Sequence, residues 1–391
     1  MKKKICVVTG TRAEYGILKP LIDKLNKDKD LELQLIVTGS HLSPEFGMTY
    51  KFIEEDGYNI DEKIEILLSS DSSVGISKSM GLTLISLSES YERLKPDMLI
   101  ILGDRYETFS AMAAASVAKI PVVHLHGGEL TEGAFDDAFR HSMTKMAYLH
   151  FAATEEYRQR VIQLGEQPDR VFNLGALGVE NVLNMNLSTK EELEKEFNIK
   201  LKNYIVVVFH PVTLEKNTSE DQFKDLLEVL DENKELSVVF IKGNADTDGR
   251  IINSMIDEYV EKNKKRAYSF ISLPVEKYLS FLKNSKALVG NSSSGIAEVP
   301  SFKIGTINIG DRQKGRQCAE SVIHCGAKKE EIREAFDKLN SEVFQKNLDK
   351  VKNPYEGENT SEKMVKIIKE TLIKKEIDLK KKFYNIKVDN N

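Results

Sequence analysis

A chain of 391 residues with 41% hydrophobic and 30% charged side chains has room for two ordinary globular domains of about 150 residues each. Its formal net charge of -5 offers no basic surface for nucleic acid. No apolar run has the length of a membrane span or the pattern of a secretory h-region. The three cysteines, Cys6, Cys318 and Cys325, form no CxxC pair, which suggests neither a zinc site nor a disulfide framework and points to a reducing cytoplasm.

In chain order, Lys4–Thr9 reads as a short apolar strand with Cys6 as a buried thiol. The turn Gly10-Thr11-Arg12-Ala13-Glu14-Tyr15-Gly16 follows, then a helix with apolar Leu18, Leu21, Ile22 and Leu25. A strand, glycine turn and helix in this order make the helix start an anion site, with free N–H groups and a positive dipole end. The turn has neither GxGxxG nor GK[ST], which disfavours a classical dinucleotide site or an NTPase. Arg12 can reach a phosphate there, or it is a surface residue of a tight turn. Leu31–Thr38 is a second strand, and His41 just after it faces either a cleft or solvent. Residues 42–75 read as loop with a lesser strand, and a helix covers Ser77–Leu94.

The centre of the chain is a βαβ unit. Met98–Leu102 and Pro121–Leu125 are continuous apolar runs around a small-residue helix, Thr108–Ala118, and parallel strands read this way. Gly103-Asp104-Arg105 follows the first strand and His126-Gly127-Gly128-Glu129 the second, with Asp136-Asp137 and Arg140-His141 shortly after. Ligands of open α/β sheets bind beyond the carboxyl ends of strands. Charged groups after two adjacent buried strands therefore read as a site. Residues 146–153 form another strand, a helix covers Glu155–Leu164, and Val171–Asn173 leads to Gly175.

Composition shifts at 187–200, LSTKEELEKEFNIK, where Ser188 and Glu191 read as a capping box. A domain boundary is expected there, giving a first domain at 1–185, a second at 186–375 and a lysine-rich tail at 376–391. The tail reads as the end of one long helix with a solvated face. The second α/β pattern has strands at Tyr204–Phe209, Leu236–Ile241, Ala267–Ile271, Ala287–Val289 and Thr306–Ile309. They end in His210-Pro211-Val212-Thr213, in Lys242–Asp246, in the serine loop 290–295 and in Gly310–Arg316. If the two halves face each other, these loops meet those of the first domain at one cleft, where pockets form preferentially.

The serine loop suits a phosphate through its N–H groups and hydroxyls, or it is a plain helix cap. Glu298, placed about one turn into the next helix, can take the two hydroxyls of a ribose. Arg312 and Arg316 add cationic donors, so the set reads as a nucleoside diphosphate site. His210 can protonate or hold a leaving phosphate. Asp104, Glu129 and Asp136 are the carboxylates of the first domain, and clustering is expected to raise one pKa against another.

As a set, GTRAEYG (10–16), GDRYE (103–107), HGGE (126–129), DDAFRHS (136–142), FHPVT (209–213), GNSSSGIAEVP (290–300) and GDRQKGR (310–316) resemble the hydrolysing UDP-N-acetylglucosamine 2-epimerases of bacterial sialic acid synthesis, the NeuC type. The resemblance runs from about residue 4 to beyond 316, in the family's order. It implies an α/β fold of the GT-B kind, two Rossmann-like domains facing each other across a cleft. It places catalytic roles on Asp104, Glu129, Asp136 and His210. Nucleotide contacts fall on Arg12, Arg105, Asn244, Ser292, Ser293, Glu298 and Arg312, with base recognition by backbone near Leu273. Non-hydrolysing relatives carry Glu in place of Asp136 and an HRRE-like segment in place of 210–213, which favours the hydrolysing branch.

The resemblance implies elimination and then hydration. A carboxylate takes the C2 proton of the sugar and UDP leaves from C1. The 2-acetamidoglucal then gains water at C1 and a proton at C2 from the other face, releasing N-acetylmannosamine. Asp104 and Glu129 are assigned to the C2 proton and Asp136 to their support; which is base and which acid stays open. No metal or other cofactor is called for. The expected partner is a nucleotide sugar, with no nucleic acid and no membrane. A homodimer or dimer-based oligomer is expected from the resemblance and from the Ala-rich helix, which faces either core or a partner. The rivals are a hydrolysing epimerase of GDP-N-acetylglucosamine or of a UDP-diacetamido sugar for legionaminic acid, a GT-B glycosyltransferase, and a nucleotide-sugar sensor without turnover.

Overall fold

The computed structural model describes residues 2–68, 72–132, 135–211, 218–242, 249–374 and 376–386. The chain divides into two units, Met1–Glu129 with Asp136–Glu180 and Tyr355–Asn391, and Leu130–Phe135 with Asn181–Pro354.

The first unit holds strands β1 (Lys3–Thr9), β2 (Leu31–Thr38), β3 (Glu62–Ile64), β4 (Met98–Leu102), β5 (Val122–Leu125), β6 (Leu149–Ala152) and β7 (Val171–Asn173). They form one sheet in the order β3-β2-β1-β4-β5-β6-β7, and the described pairings are parallel. Alternate side chains enter two cores. Ile5, Val7, Met98 and Ile100 join one, and Cys6, Val8, Leu99 and Ile101 join the other. Burial on both faces explains why these strands read as unbroken apolar runs.

The second unit repeats the plan with β8 (Tyr204–Val208), β9 (Ser237–Ile241), β10 (Ala267–Phe270), β11 (Ala287–Gly290), β12 (Gly305–Ile309) and β13 (Val322–Cys325). Their order is β10-β9-β8-β11-β12-β13. In each sheet the strand order reverses once, between β1 and β4 and between β8 and β11. Such switch points leave a crevice at the strand ends of an open sheet. The α/β, GT-B class expected from the sequence is the one observed, with a Rossmann-like sheet in each unit.

Several local expectations are corrected. The helix Thr360–Lys374 belongs to the first unit, not to a domain spanning 186–375. Its stripe Met364, Val365, Ile368 and Leu372 enters the core beside β1 and β4. Lys369 Nζ reaches Asp28 at 2.9 Å and Asp30 at 2.7 Å. The segment 376–386 is largely exposed, as expected of a lysine-rich tail, but it is not helical and it sends Lys381 to a buried carboxylate. The capping box is Thr189 with Glu192, one residue later than expected. That register buries Leu193 and leaves Ser188 N to donate to Ser280 Oγ at 2.9 Å. The helices Tyr50–Glu55, Gly249–Lys262 and Lys329–Asn340 and the strand β13 were not read from the sequence. Among the described residues no helix is long and apolar enough to cross a membrane.

Candidate active site

At the switch point of the first unit, β1 runs into the helix Arg12–Lys27, whose start is closed by a capping box. Glu14 N donates to Thr11 Oγ1 at 3.2 Å, and Glu14 Oε2 accepts from Gly10 N at 2.7 Å and Thr11 N at 3.2 Å. This carboxyl is buried next to a second one, Glu107, which accepts from Arg105 Nε at 2.7 Å. Burial first, and then the charge of Glu107, push the Glu14 pKa up to about 8, although Arg105 and the two N–H donors pull it down.

Beyond β4 and β5 lies a tighter arrangement. Arg140, 2% exposed, projects from the helix Asp136–Met146. Its Nη2 donates to Asp104 Oδ2, while Nη1 donates to Glu129 Oε2 at 3.3 Å and to His126 O at 3.1 Å. His126 Nδ1 stands 3.0 Å from Glu129 Oε1. Glu129 is 1% exposed, whereas the Asp104 side chain keeps 19% of its surface. One guanidinium thus fixes two carboxylates that arrive from adjacent strands, and its planar fork suits that task. The loop bends sharply to allow it. His126 has φ 63, and Gly128 at φ +80 has no room for a Cβ, which would stand 2.4 Å from Tyr157 O. Below, His124 Nε2 donates to Gly103 O at 2.7 Å and its Nδ1 accepts from Thr144 at 3.3 Å. Burial drives its pKa down to about 3, so it props the β4 loop as a neutral ring.

The second unit's switch point is built from an amide. Asn291, 1% exposed, accepts from His210 N at 2.7 Å and donates to His210 O at 2.7 Å. Its own carbonyl accepts from Arg312 Nη1 at 3.1 Å and Gln313 Nε2 at 2.8 Å. The loops after β8, β11 and β12 are thereby tied to one residue. Gly290 makes the approach possible, since a Cβ there would lie 2.0 Å from Val208 O. In the serine loop, Ser294 N donates to Ser292 Oγ at 3.3 Å.

Comparison with known proteins decides the family. Residues 23–369 match the family model described as UDP-N-acetylglucosamine 2-epimerase. The chain belongs to the UDP-N-acetylglucosamine 2-epimerase family. Among similar proteins, GDP/UDP-N,N'-diacetylbacillosamine 2-epimerase (hydrolyzing) of Campylobacter jejuni is 47% identical over 88% of this chain and 90% of its own length. Polysialic acid biosynthesis protein P7 of Escherichia coli is 43% identical over 98% of both chains. Of solved structures, the S. aureus MnaA-UDP co-structure matches with TM-score 0.78 at 21% identity, covering 96% of this chain and 99% of that one. The UDP-GlcNAc 2-epimerase of Methanocaldococcus jannaschii, in complex with UDP-GlcNAc and UDP, gives 0.77 at 22% identity over 93% and 99%. These structural likenesses carry the fold. At this level the chain is a hydrolysing 2-epimerase of nucleotide sugars.

In this epimerase the expected residues sort by unit. Asp104 and Glu129 meet on Arg140, and Asp136 is the first, half-buried residue of the helix that supplies that arginine. Arg12 opens its helix and helps depress the pKa of His41 to about 3, after burial. Arg105 is the N-cap before the helix Tyr106–Val117. His210 and Arg312 bond to Asn291, and Ser292 and Ser293 follow it in the chain. Glu298 is not one turn inside a helix: it is the C-cap of the short helix Ser294–Ala297 and is 7% exposed. The Leu273 side chain is core, 2% exposed. Asn244 lies outside the described residues. His41 faces neither cleft nor solvent; it is buried between Thr9 Oγ1 at 3.1 Å and Thr49 Oγ1 at 2.8 Å. The sequence places Arg140 among the charged groups after β5 and Asn291 in the serine loop, without the organising role each has here, and it gives His124 none. The signals were a histidine inside an apolar strand and an arginine one turn after Asp136.

Proposed function

We propose that the chain converts UDP-N-acetylglucosamine and water to N-acetylmannosamine and UDP through a 2-acetamidoglucal. The observation that carries this reading is Arg140 fixing Asp104 and Glu129 side by side at adjacent strand ends. Epimerisation at C2 needs a proton acceptor on one face and a donor on the other, and simple hydrolysis needs no such pair. In the first half-reaction the C2 proton goes to one carboxylate, its electron pair forms the C1=C2 bond, and the C1–O bond breaks with its electrons on UDP. In the second, the oxygen of water bonds to C1 and its released proton passes to a carboxylate, while a carboxyl returns a proton to C2. Arg140 keeps both groups oriented through the cycle, and Asp136 supports them. His210, the serine loop 290–295, Arg312 and Arg12 stabilise the charge that grows on the departing diphosphate. Structures of similar fold that hold UDP or UDP-GlcNAc support a nucleotide-sugar substrate, which fits a cytoplasmic enzyme.

The test is isotopic. Product formed in D₂O carries one deuterium at C2, and product formed in H₂¹⁸O carries the label at C1 and none on UDP. Retained C2–H with gluco configuration overturns the reading. A second reading has its own support, the 47% identity to the Campylobacter protein named for diacetylbacillosamine. Incubation with UDP-N-acetylglucosamine, GDP-N-acetylglucosamine and UDP-N,N'-diacetylbacillosamine, with the released sugar identified, separates the two. Turnover with water alone argues against a glycosyltransferase, and any enzyme-like rate removes the sensor.

A homodimer is also proposed, through a different helix from the one expected. Tyr106–Val117 is buried against the helix Ser73–Leu94, so its alanines serve the core. The neighbouring helix instead exposes Val74, Leu82 and Ile85, an apolar face suited to a second copy. Light scattering that shows an active monomer refutes it.

A further inference from the structure

Outside the site, the first unit contains a buried ionic cluster that the proposed chemistry does not use. Glu166, 1% exposed, accepts from Lys145 Nζ at 2.6 Å, lies 3.0 Å from His150 Nε2, and pairs with Lys381 Nζ at 2.5 Å. Lys381 comes from the C-terminal strap 376–386, more than two hundred residues away in sequence. The same ammonium donates to Lys145 O at 2.8 Å and Ala147 O at 2.7 Å. Those carbonyls lie at the C-terminal end of the helix Asp136–Met146, where a helix leaves carbonyls without helical partners and favours a cation. That helix carries Arg140.

The strap has further anchors. Tyr384 N donates to Gly165 O at 2.8 Å, and Gln167 Nε2 donates to Lys382 O at 3.2 Å. The Phe383 ring lies so close over Gly165 that a Cβ there would come within 2.4 Å of it. Lys145 Nζ stands 4.7 Å from the centre of the same ring. Tyr384 packs on Val161, Ile162 and Val171. The strap is therefore seated by its backbone and rings, and Lys381 is the side chain it inserts.

We propose that Lys381 is a positioning residue for the reaction: by pinning the C-terminal end of the helix Asp136–Met146 to Glu166, it holds Arg140 in register with Asp104 and Glu129. The proposal rests on the epimerase reading above. The chain links one rigid helix to two fixed ends. At one end the guanidinium spans two carboxylates, and at the other the ammonium spans two carbonyls and one carboxylate. Lys145 of the same helix keeps its own contact to Glu166, so loss of Lys381 frees the two carbonyls and loosens this end, and a small misplacement of a catalytic group lowers turnover strongly.

The test uses the full-length chain. Lys381→Met is expected to lower kcat at least tenfold with KM and UDP affinity within twofold of wild type. Lys381→Arg, which keeps donors for the carbonyls and Glu166, is expected to recover most of that loss. Amide exchange at residues 143–147 should quicken in Lys381→Met while β4 and β5 keep their protection, a readout that stands even if the substrate is misassigned. Unchanged kcat in Lys381→Met overturns the proposal, whatever its melting temperature. So does a loss of kcat accompanied by faster exchange throughout the first unit, which marks a merely structural role. If Lys381→Met does not fold, Lys381→Met with Glu166→Gln removes the buried charge that has lost one of its cations and is judged by the same outcomes.

Discussion

The two units share a strand order and place their candidate groups at the same topological point, yet they fill it with opposite chemistry. The loops after β4 and β5 hold Asp104, Glu129 and His126, and the helix that follows supplies Arg140, charged or titratable groups locked on one another. The loops after β8, β11 and β12 are organised by a neutral amide, Asn291, and by main-chain groups. Proton transfer needs groups that change protonation state, held within hydrogen-bond reach. Binding a permanent anion needs donors that do not. On the proposed function one fold serves both tasks, and the residue type at the strand end separates them.

The largest expected effects come from breaking the charged side of this contrast. Glu129→Gln and Asp104→Asn keep shape and remove proton transfer, so each should lower kcat by roughly 10²-fold or more. Arg140→Met should do as much and also destabilise the fold by about 3–5 kcal/mol, because it strands two carboxylates that shared its charge. Thermal melts and initial rates on the three variants check this. A wild-type rate in Arg140→Met would sink the view that the guanidinium organises the pair.

A smaller effect is expected on the neutral side. Asn291→Ala leaves the main-chain N–H and carbonyl of His210 without that partner, a cost of about 1–3 kcal/mol. Equilibrium binding should show UDP affinity lowered roughly 10- to 100-fold, while deuterium uptake at C2 by bound substrate changes little. The reverse pattern, weak deuterium uptake with intact UDP affinity, would erase the distinction between the units.

How far this was legible in the sequence follows the same divide. Strands such as Met98–Leu102 and Tyr204–Val208 announce themselves, since burial on both faces demands unbroken apolar runs. Asp104, Glu129 and His210 read as candidates because polar groups that follow such runs lie beyond strand ends, and the structure places all three there. Arg140 was not legible as an organiser. It lies inside a polar helix, and only the packing turns it toward β4 and β5. Asn291 read as one more polar residue of a serine loop; its contacts at 210, 312 and 313 are remote in sequence. The helix Thr360–Lys374 misled for the opposite reason. Chain adjacency put it in the second domain, while its apolar stripe belongs to the core of β1 and β4. The carboxyl that burial pushes up is Glu14, in the first turn of the helix after β1, where the sequence reads as an anion-binding turn.

The smallest predicted effect sharpens that last point and is read in stability. Buried His41 and His124, each held near a pKa of about 3 chiefly by burial, bind fewer protons folded than unfolded. Their contribution is full above about 6.5 and is lost as pH falls toward 3. Glu14 acts in the other direction. Its folded pKa of about 8 lies above the ordinary 4.5, so the folded state holds a proton that the unfolded chain has released. The stability it contributes is full below about 4.5 and is lost as pH rises through 8. Glu14→Gln removes this slope and leaves the histidines untouched, and the amide oxygen can still accept from Gly10 N and Thr11 N. The melting temperature of the variant relative to wild type should therefore climb between pH 5.5 and 8.5, by on the order of 3 °C or more. A difference that stays constant across that range would mean Glu14 is ionised in the fold. The capping box would then close on an anion, and the charged character of the first unit would extend from the β4 and β5 loops to the turn after β1.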